Sequence, residues 1–204
     1  MNPKEKIIDA ATNLFSRKGF ENASVRDIAK EAEVNIAMIS YYFGSKEKLL
    51  KTVLENRFAY LRDLFTELVS NNTLSAMEKI DRITDLLIER KFSNRIFHKM
   101  LHRELSVDDR PQLKNAVSAL LLKNITPVKK ILEGGIASGE FRKVDVEMTV
   151  TTIIGTIHYL LTSDIMCKRI LGKKGKFNPF ENKELKQRVS AHTRQLMRAH
   201  LLKK

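Results

Sequence analysis

The chain has a single cysteine, no tryptophan, eight glycines and four prolines in 204 residues. One cysteine permits no intrachain disulfide, so Cys167 fits a reducing cytoplasm as a small core residue, with redox sensing as the alternative role. With so little glycine and proline, turn positions are few, and no segment alternates apolar and polar residues with period two between turns; strands are not expected. Long apolar runs are also missing. The longest stretch free of charge, Met148 to Ser163, is too short and too rich in threonine to span a bilayer and reads as a buried helix, so no membrane partner is expected. The opening MNPKEKIIDAATNLF lacks a basic lead into an apolar core. It reads as an amphipathic helix start, with Asn2 as cap, Pro3 at the first position and Glu5 closing the box, not as a signal peptide. Nor is there a nucleophile elbow, a phosphate-cradling glycine loop or a paired-carboxylate motif, and an enzyme on a helical scaffold is not expected.

What the chain does have is 43% apolar content, enough for a real core, in repeats close to 3.6 residues almost throughout. The expected fold is all-α. The formal net charge of +13 invites a nucleic-acid partner, yet the excess is not where the motifs are. Residues 1–50 hold eight Lys and Arg against seven Asp and Glu, whereas residues 165–204 hold twelve against two. For that basic C-terminal segment the readings are a solvated helix face and loop, or an auxiliary contact with nucleic acid or another anionic surface.

The stretch ASVRDIAKEAEVNIAMISYYFGSKEK, Ala23 to Lys48, encodes two short helices joined by a turn. Ser24 and Asp27 form a reciprocal cap, and Val25, Ile28, Ala29 and Ala32 give the first helix an apolar stripe. Asn35 caps a second helix in which Ile36, Ile39 and Phe43 recur at helical spacing; Gly44 stops it and Ser45 caps the next. A helix of about eight residues presented by a preceding one is what a major groove accepts.

These residues resemble the N-terminal domain of the TetR family of transcriptional regulators. Ile7, Ala10, Ala11, Leu14, Phe15, Gly19 and Phe20 stand in that family's first-helix pattern, and Ser24, Val25, Ile28, Ala29, Ala32, Val34, Tyr41, Tyr42, Phe43, Lys46, Glu47 and Leu49 continue it. The resemblance covers residues 5–50 and implies a three-helix DNA-binding domain, here 1–46, joined to a helical effector-binding and dimerisation domain, 47–204. Two departures stand out. Glu33 occupies a turn position where the family usually has Gly, so a side chain there costs stability if φ is positive, and the turn is open to a different shape. Asn35 to Ser40 replace a small-polar run, leaving few hydrogen-bonding groups at the start of the reading helix.

The expected contact set for operator DNA is therefore divided. Arg26, Lys46, Tyr41 and Tyr42 supply affinity; Ile36, Ala37 and Met38 discriminate among bases by packing on thymine methyls or sensing groove shape; Ser24, Asn35 and Ser40 join by resemblance. The expected function is a cytoplasmic homodimeric repressor, released from a near-palindromic operator by a small, mostly apolar effector. A helical DNA-binding protein with no small-molecule switch is the alternative.

In the second domain a helix from Ser45 to about Leu68 is expected to couple the two domains, and a capping box at Ser75 and Glu78 opens the next helix. A helix over Ile96 to Leu105, a turn at Asp108 to Pro111 and a helix kinked at Pro127 and ending near Gly139 follow. Gly135, Gly139 and Phe141 resemble the stretch preceding the family's two dimer-forming helices, here expected at Val144 to Leu171 and Glu184 to Leu202. In the last helix the seam would be Leu185, Val189, His192, Leu196 and Ala199. Phe92, Phe97, Met100, His102, Thr152, Thr156, His158 and Tyr159 offer an aromatic, sparsely polar effector lining, though each also fits a core. His98 and His102 stand four apart near Glu104, but no further ligand lies at metal spacing; no metal and no cofactor are expected.

Overall fold

A computed structural model of the chain describes residues 2–95, 97, 98, 101 and 111–203. Asn2 accepts the amide of Lys4 while Glu5 reaches back to the Asn2 amide, and this box starts α1, Pro3–Lys18. Ile7, Ala10, Ala11, Leu14 and Phe15 recur on one side of α1 and are buried. They meet Ile28 and Ala29 of α2, Val25–Glu31, and Ile39 and Phe43 of α3, Ile36–Phe43. Leu49, Leu50, Val53 and Leu54 from the first turns of α4, Lys46–Ser70, close the same core. Those residues belong to one compact unit, 1–61 with 96–123; the other comprises 62–95 with 124–204.

In the second unit, Ser75 and Glu78 form the expected box at the start of α5, Ala76–Ser93. The following helices are α6, Pro111–Ala137, with Pro111 at its first position, Pro127 inside it and residues 111–123 belonging to the first unit; α7, Val146–Thr162; α8, Asp164–Ile170; and α9, Lys183–Leu201, entered through a 3-10 turn at Pro179–Glu181. Among the described residues there is no strand, only an isolated antiparallel bridge between Phe141 and Leu202. No helix is long and apolar enough to cross a membrane among the described residues.

The antiparallel packing of α5 on α9 is laced by charge. Asp81 pairs with Arg198, Asp85 with Arg194 and Ser190, and Glu89 with Lys186, each step about one turn along both helices. Three cations of the basic C-terminal segment are thus matched inside the unit.

One expectation needs correction. The helix expected over Val144 to Leu171 is two helices: Ser163 takes an extended backbone (φ −125°, ψ 118°) and its hydroxyl caps α8 at the Met166 amide. The last helix buries Leu185, Val189, Thr193, Met197 and Leu201 at uniform spacing of four, while His192 and Ala199 face outward. Thr193 can be buried because its hydroxyl donates to the Val189 carbonyl at 2.8 Å. The helix expected over Ile96 to Leu105 and the turn at Asp108 to Arg110 lie outside the described residues, apart from Phe97, His98 and Leu101.

Candidate nucleic-acid interface

Local chemistry sets the geometry of α2 and α3. Ser24 Oγ accepts the Asp27 amide at 3.0 Å, and the Asp27 carboxylate accepts the Ser24 amide at 3.3 Å. Hydrogen bonds from Ser24 and then the Lys18 ammonium hold the Asp27 carboxyl below its usual range. Between the helices the Val34 amide bonds the Ala29 carbonyl and the Glu33 amide bonds the Lys30 carbonyl, the two bonds of a Schellman stop. That motif requires a left-handed residue, and Glu33 supplies it at φ 54°. The turn therefore keeps the shape that glycine would give it. Val34 packs on the core and Asn35 accepts the Ala37 amide at 2.9 Å, which starts α3.

The eight residues of α3 then divide by face. Ile39 and Phe43 point into the core, with Met38 and Tyr42 half-buried against it, while Ile36, Ala37, Ser40 and Tyr41 are exposed. Tyr41 is 83% exposed, and its ring meets Tyr42 edge-on at 5.1 Å. Arg26 and Ser24 are exposed on α2 and its cap. Lys46 is less free than its sequence position implies: its ammonium bonds the Glu21 carbonyl at 3.3 Å and sits 4.3 Å from the Phe20 ring centroid. All ten residues of the expected DNA set lie in the first unit, on α2, α3, their caps and the first residue of α4. Lys48, also exposed, runs its side chain alongside Gly44. The surface combines hydroxyls, an exposed guanidinium and small apolar groups on a helix about 12 Å long, which suits a groove and offers no nucleophile with an activating base.

The expected effector residues are dispersed. Phe92 is buried on α5 with its ring 6.0 Å from Phe180; His158 and Thr156 are half-buried on α7, and Thr152 and Tyr159 are exposed there. Phe97 is buried in the first unit against Phe58; Met100 and His102 lie outside the described residues. A cleft of about 330 Å³ opens between the start of α5 and the end of α6, but it includes none of these residues. Glu140 borders that cleft and already satisfies the Ala76 and Met77 amides, both at 2.8 Å. One residue escaped sequence reasoning: Lys91, buried on α5, with its ammonium 3.0 Å from His158 Nδ1. Its signal was available, because the interior stripe Met77, Ile80, Thr84 and Ile88 extends to position 91 at the same spacing.

With this geometry in hand, three comparisons bear on the chain. The family model described as bacterial regulatory proteins, tetR family, matches residues 7–53. The probable HTH-type transcriptional regulator YttP of Bacillus subtilis is 31% identical over 142 residues, covering 69% of this chain and 68% of that protein. The HTH-type transcriptional repressor NicS of Pseudomonas putida is 30% identical over 143 residues, 68% of this chain and 66% of that one. Among solved structures, the Bacillus subtilis transcriptional regulator FadR in complex with stearoyl-CoA superposes with a TM-score of 0.75 at 23% identity, over 93% of this chain and 96% of that one.

Proposed function

The chain belongs to the TetR family of bacterial regulatory proteins, and from that premise we propose that it is a cytoplasmic transcriptional repressor. Residues 1–46 read duplex operator DNA, and residues 47–204 bind a small, mostly apolar ligand and pair two copies. It regulates transcription and catalyses no reaction. The observation that carries the reading is the outward face of α3, where Ile36, Ala37, Ser40 and Tyr41 stand exposed on a capped helix. Ile36 and Ala37, with Met38 at their edge, pack on thymine methyls; Arg26, Lys46, Tyr41 and Tyr42 hold phosphates. Ser24 Oγ and Asn35 Oδ1 accept cap bonds, so the Ser24 hydroxyl proton and the Asn35 Nδ2 amide remain as donors for a phosphate or a base edge.

Pairing of two copies is supported by the apolar groups left outside the second unit, Met148, Ile154 and Tyr159 on α7 and Ile165, Met166 and Ile170 on α8. Two related heads then face a near-palindromic site. A ligand in the second unit releases DNA by binding better to the conformation that fits the operator worse, and α4 is the continuous element through which the change passes. The FadR neighbour, crystallised with stearoyl-CoA, supports an apolar effector for this chain as well.

Selecting bound fragments from random duplex DNA tests the reading directly. The expected consensus has dyad symmetry, Met38→Ala flattens its base preferences, and Lys46→Ala weakens all sequences alike. A consensus without a dyad, or one altered by Lys46→Ala and untouched by Met38→Ala, overturns this assignment.

A further inference from the structure

The interior of the second unit contains a charge with no countercharge among the described residues. Lys91 is only 7% exposed, and among the described residues its ammonium meets no carboxylate; the polar atom within its reach is His158 Nδ1 at 3.0 Å. The acidic residues of the same helix point elsewhere, with Asp81, Asp85 and Glu89 held by Arg198, Arg194 and Lys186 of α9. Two turns before Lys91 on the same face of α5, the Thr84 hydroxyl is fully buried and has no hydrogen-bond partner among the described residues. Between them lies Ile88, buried, and next to Lys91 lies Phe92. On α7, Ile153 and Ile157 are buried beside His158.

A buried ammonium is costly unless an anion reaches it, and the desolvation shows in the Lys91 amine, pushed down to about 8 by burial. The arrangement has a cationic group at Lys91 with His158 beside it, and closely packed apolar side chains continue along the same face of α5 for about 10 Å to the Thr84 hydroxyl. On the reading that the second unit binds a ligand, we propose that Lys91, assisted by His158, holds the terminal oxyanion of that ligand. The effector is then an amphiphile with an anionic end, a carboxylate or a phosphate, and not a neutral hydrocarbon.

Calorimetric titration of the full-length protein with decanoate, decyl phosphate and decanol tests this. A charge-assisted hydrogen bond predicts that at least one oxyanion binds about tenfold or more tighter than decanol, and which of the two wins names the source. In Lys91→Met, and in Lys91→Gln as a second neutral variant, decanol binding persists and the gap closes to about twofold. At pH 8.5 the preferred oxyanion brings proton uptake in the wild type, measured from buffers of different ionisation heat, and none in either variant. Equal affinity for all three compounds, an oxyanion preference that survives both substitutions, or no binding of any compound each overturns the assignment. Fluorescence anisotropy on operator DNA separates the two levels: oxyanion preference without operator release would fail the repressor reading and leave the anchor standing, whereas operator release by decanol alone would do the reverse.

Discussion

Glu33 holds a left-handed backbone at φ 54°, which glycine adopts without the Cβ penalty. Glu33→Gly is expected to raise stability by up to about 1 kcal/mol, read as a higher urea midpoint with unchanged slope. A lower midpoint would show that the glutamate side chain contributes more than its backbone costs. Lys91 makes a second prediction, in pH. Its folded-state pKa of about 8 lies below the ordinary 10.5, so the unfolded chain binds the extra proton between those values. Wild-type stability attributable to this group therefore rises from pH 8 to 10.5, and below pH 8 its burial is fully unfavourable, by up to about 3 kcal/mol. Lys91→Met should be the more stable protein at neutral pH, with an advantage that fades through that window in parallel unfolding curves. At this scale the caps at Ser24, Asn35 and Ser75 were legible, because a cap is decided within three residues of chain. Lys46 was not: its seat on Phe20 and Glu21 depends on how the segment between α1 and α2 meets the start of α4.

The helices show where periodicity suffices and where it does not. α1 and α5 announce themselves by stripe and cap, and both formed as expected. The break at Ser163 carries no glycine or proline, and a run of apolar residues on both sides hides it. In α9 the interior of the unit takes Leu185, Val189, Thr193, Met197 and Leu201, with the Thr193 hydroxyl satisfied by its own helix, and leaves His192 and Ala199 of the expected pairing seam exposed. The stretch after α6 was legible as a motif and explicable only as a contact. A Cβ on Gly135 would fall into the Phe141 ring and lie 2.9 Å from Ala76, and Gly139 turns the chain at φ 78°. Gly135→Ala is expected to cost about 1–3 kcal/mol through overpacking, while Gly134→Ala, whose Cβ meets nothing, is neutral or slightly stabilising. Equal thermal shifts for the two variants would contradict that account.

For the whole molecule, the proposed pairing uses the exposed apolar groups of α7 and α8. Tyr159 is 67% exposed and Ile154 is exposed on the same helix, so Ile154→Glu with Tyr159→Glu should yield a folded monomer by light scattering and weaken operator binding far more than one head's contacts would explain. A double variant that stays dimeric would move the interface off this face. Charge also has to be read at this scale. In the first unit Arg17 faces Glu31, Lys18 faces Asp27 and Lys46 rests on Phe20, so Arg26, Lys30 and Lys48 remain the exposed cations of α2 and the start of α4 without an ion pair among the described residues. With Lys46, which the proposed reading also sets on phosphate, eight cations in two heads would displace about seven condensed counterions from a duplex, a slope near −7 in log affinity against log salt. Hold on unrelated DNA then falls away steeply as salt rises, and what survives at higher salt is governed by how well the bases themselves fit.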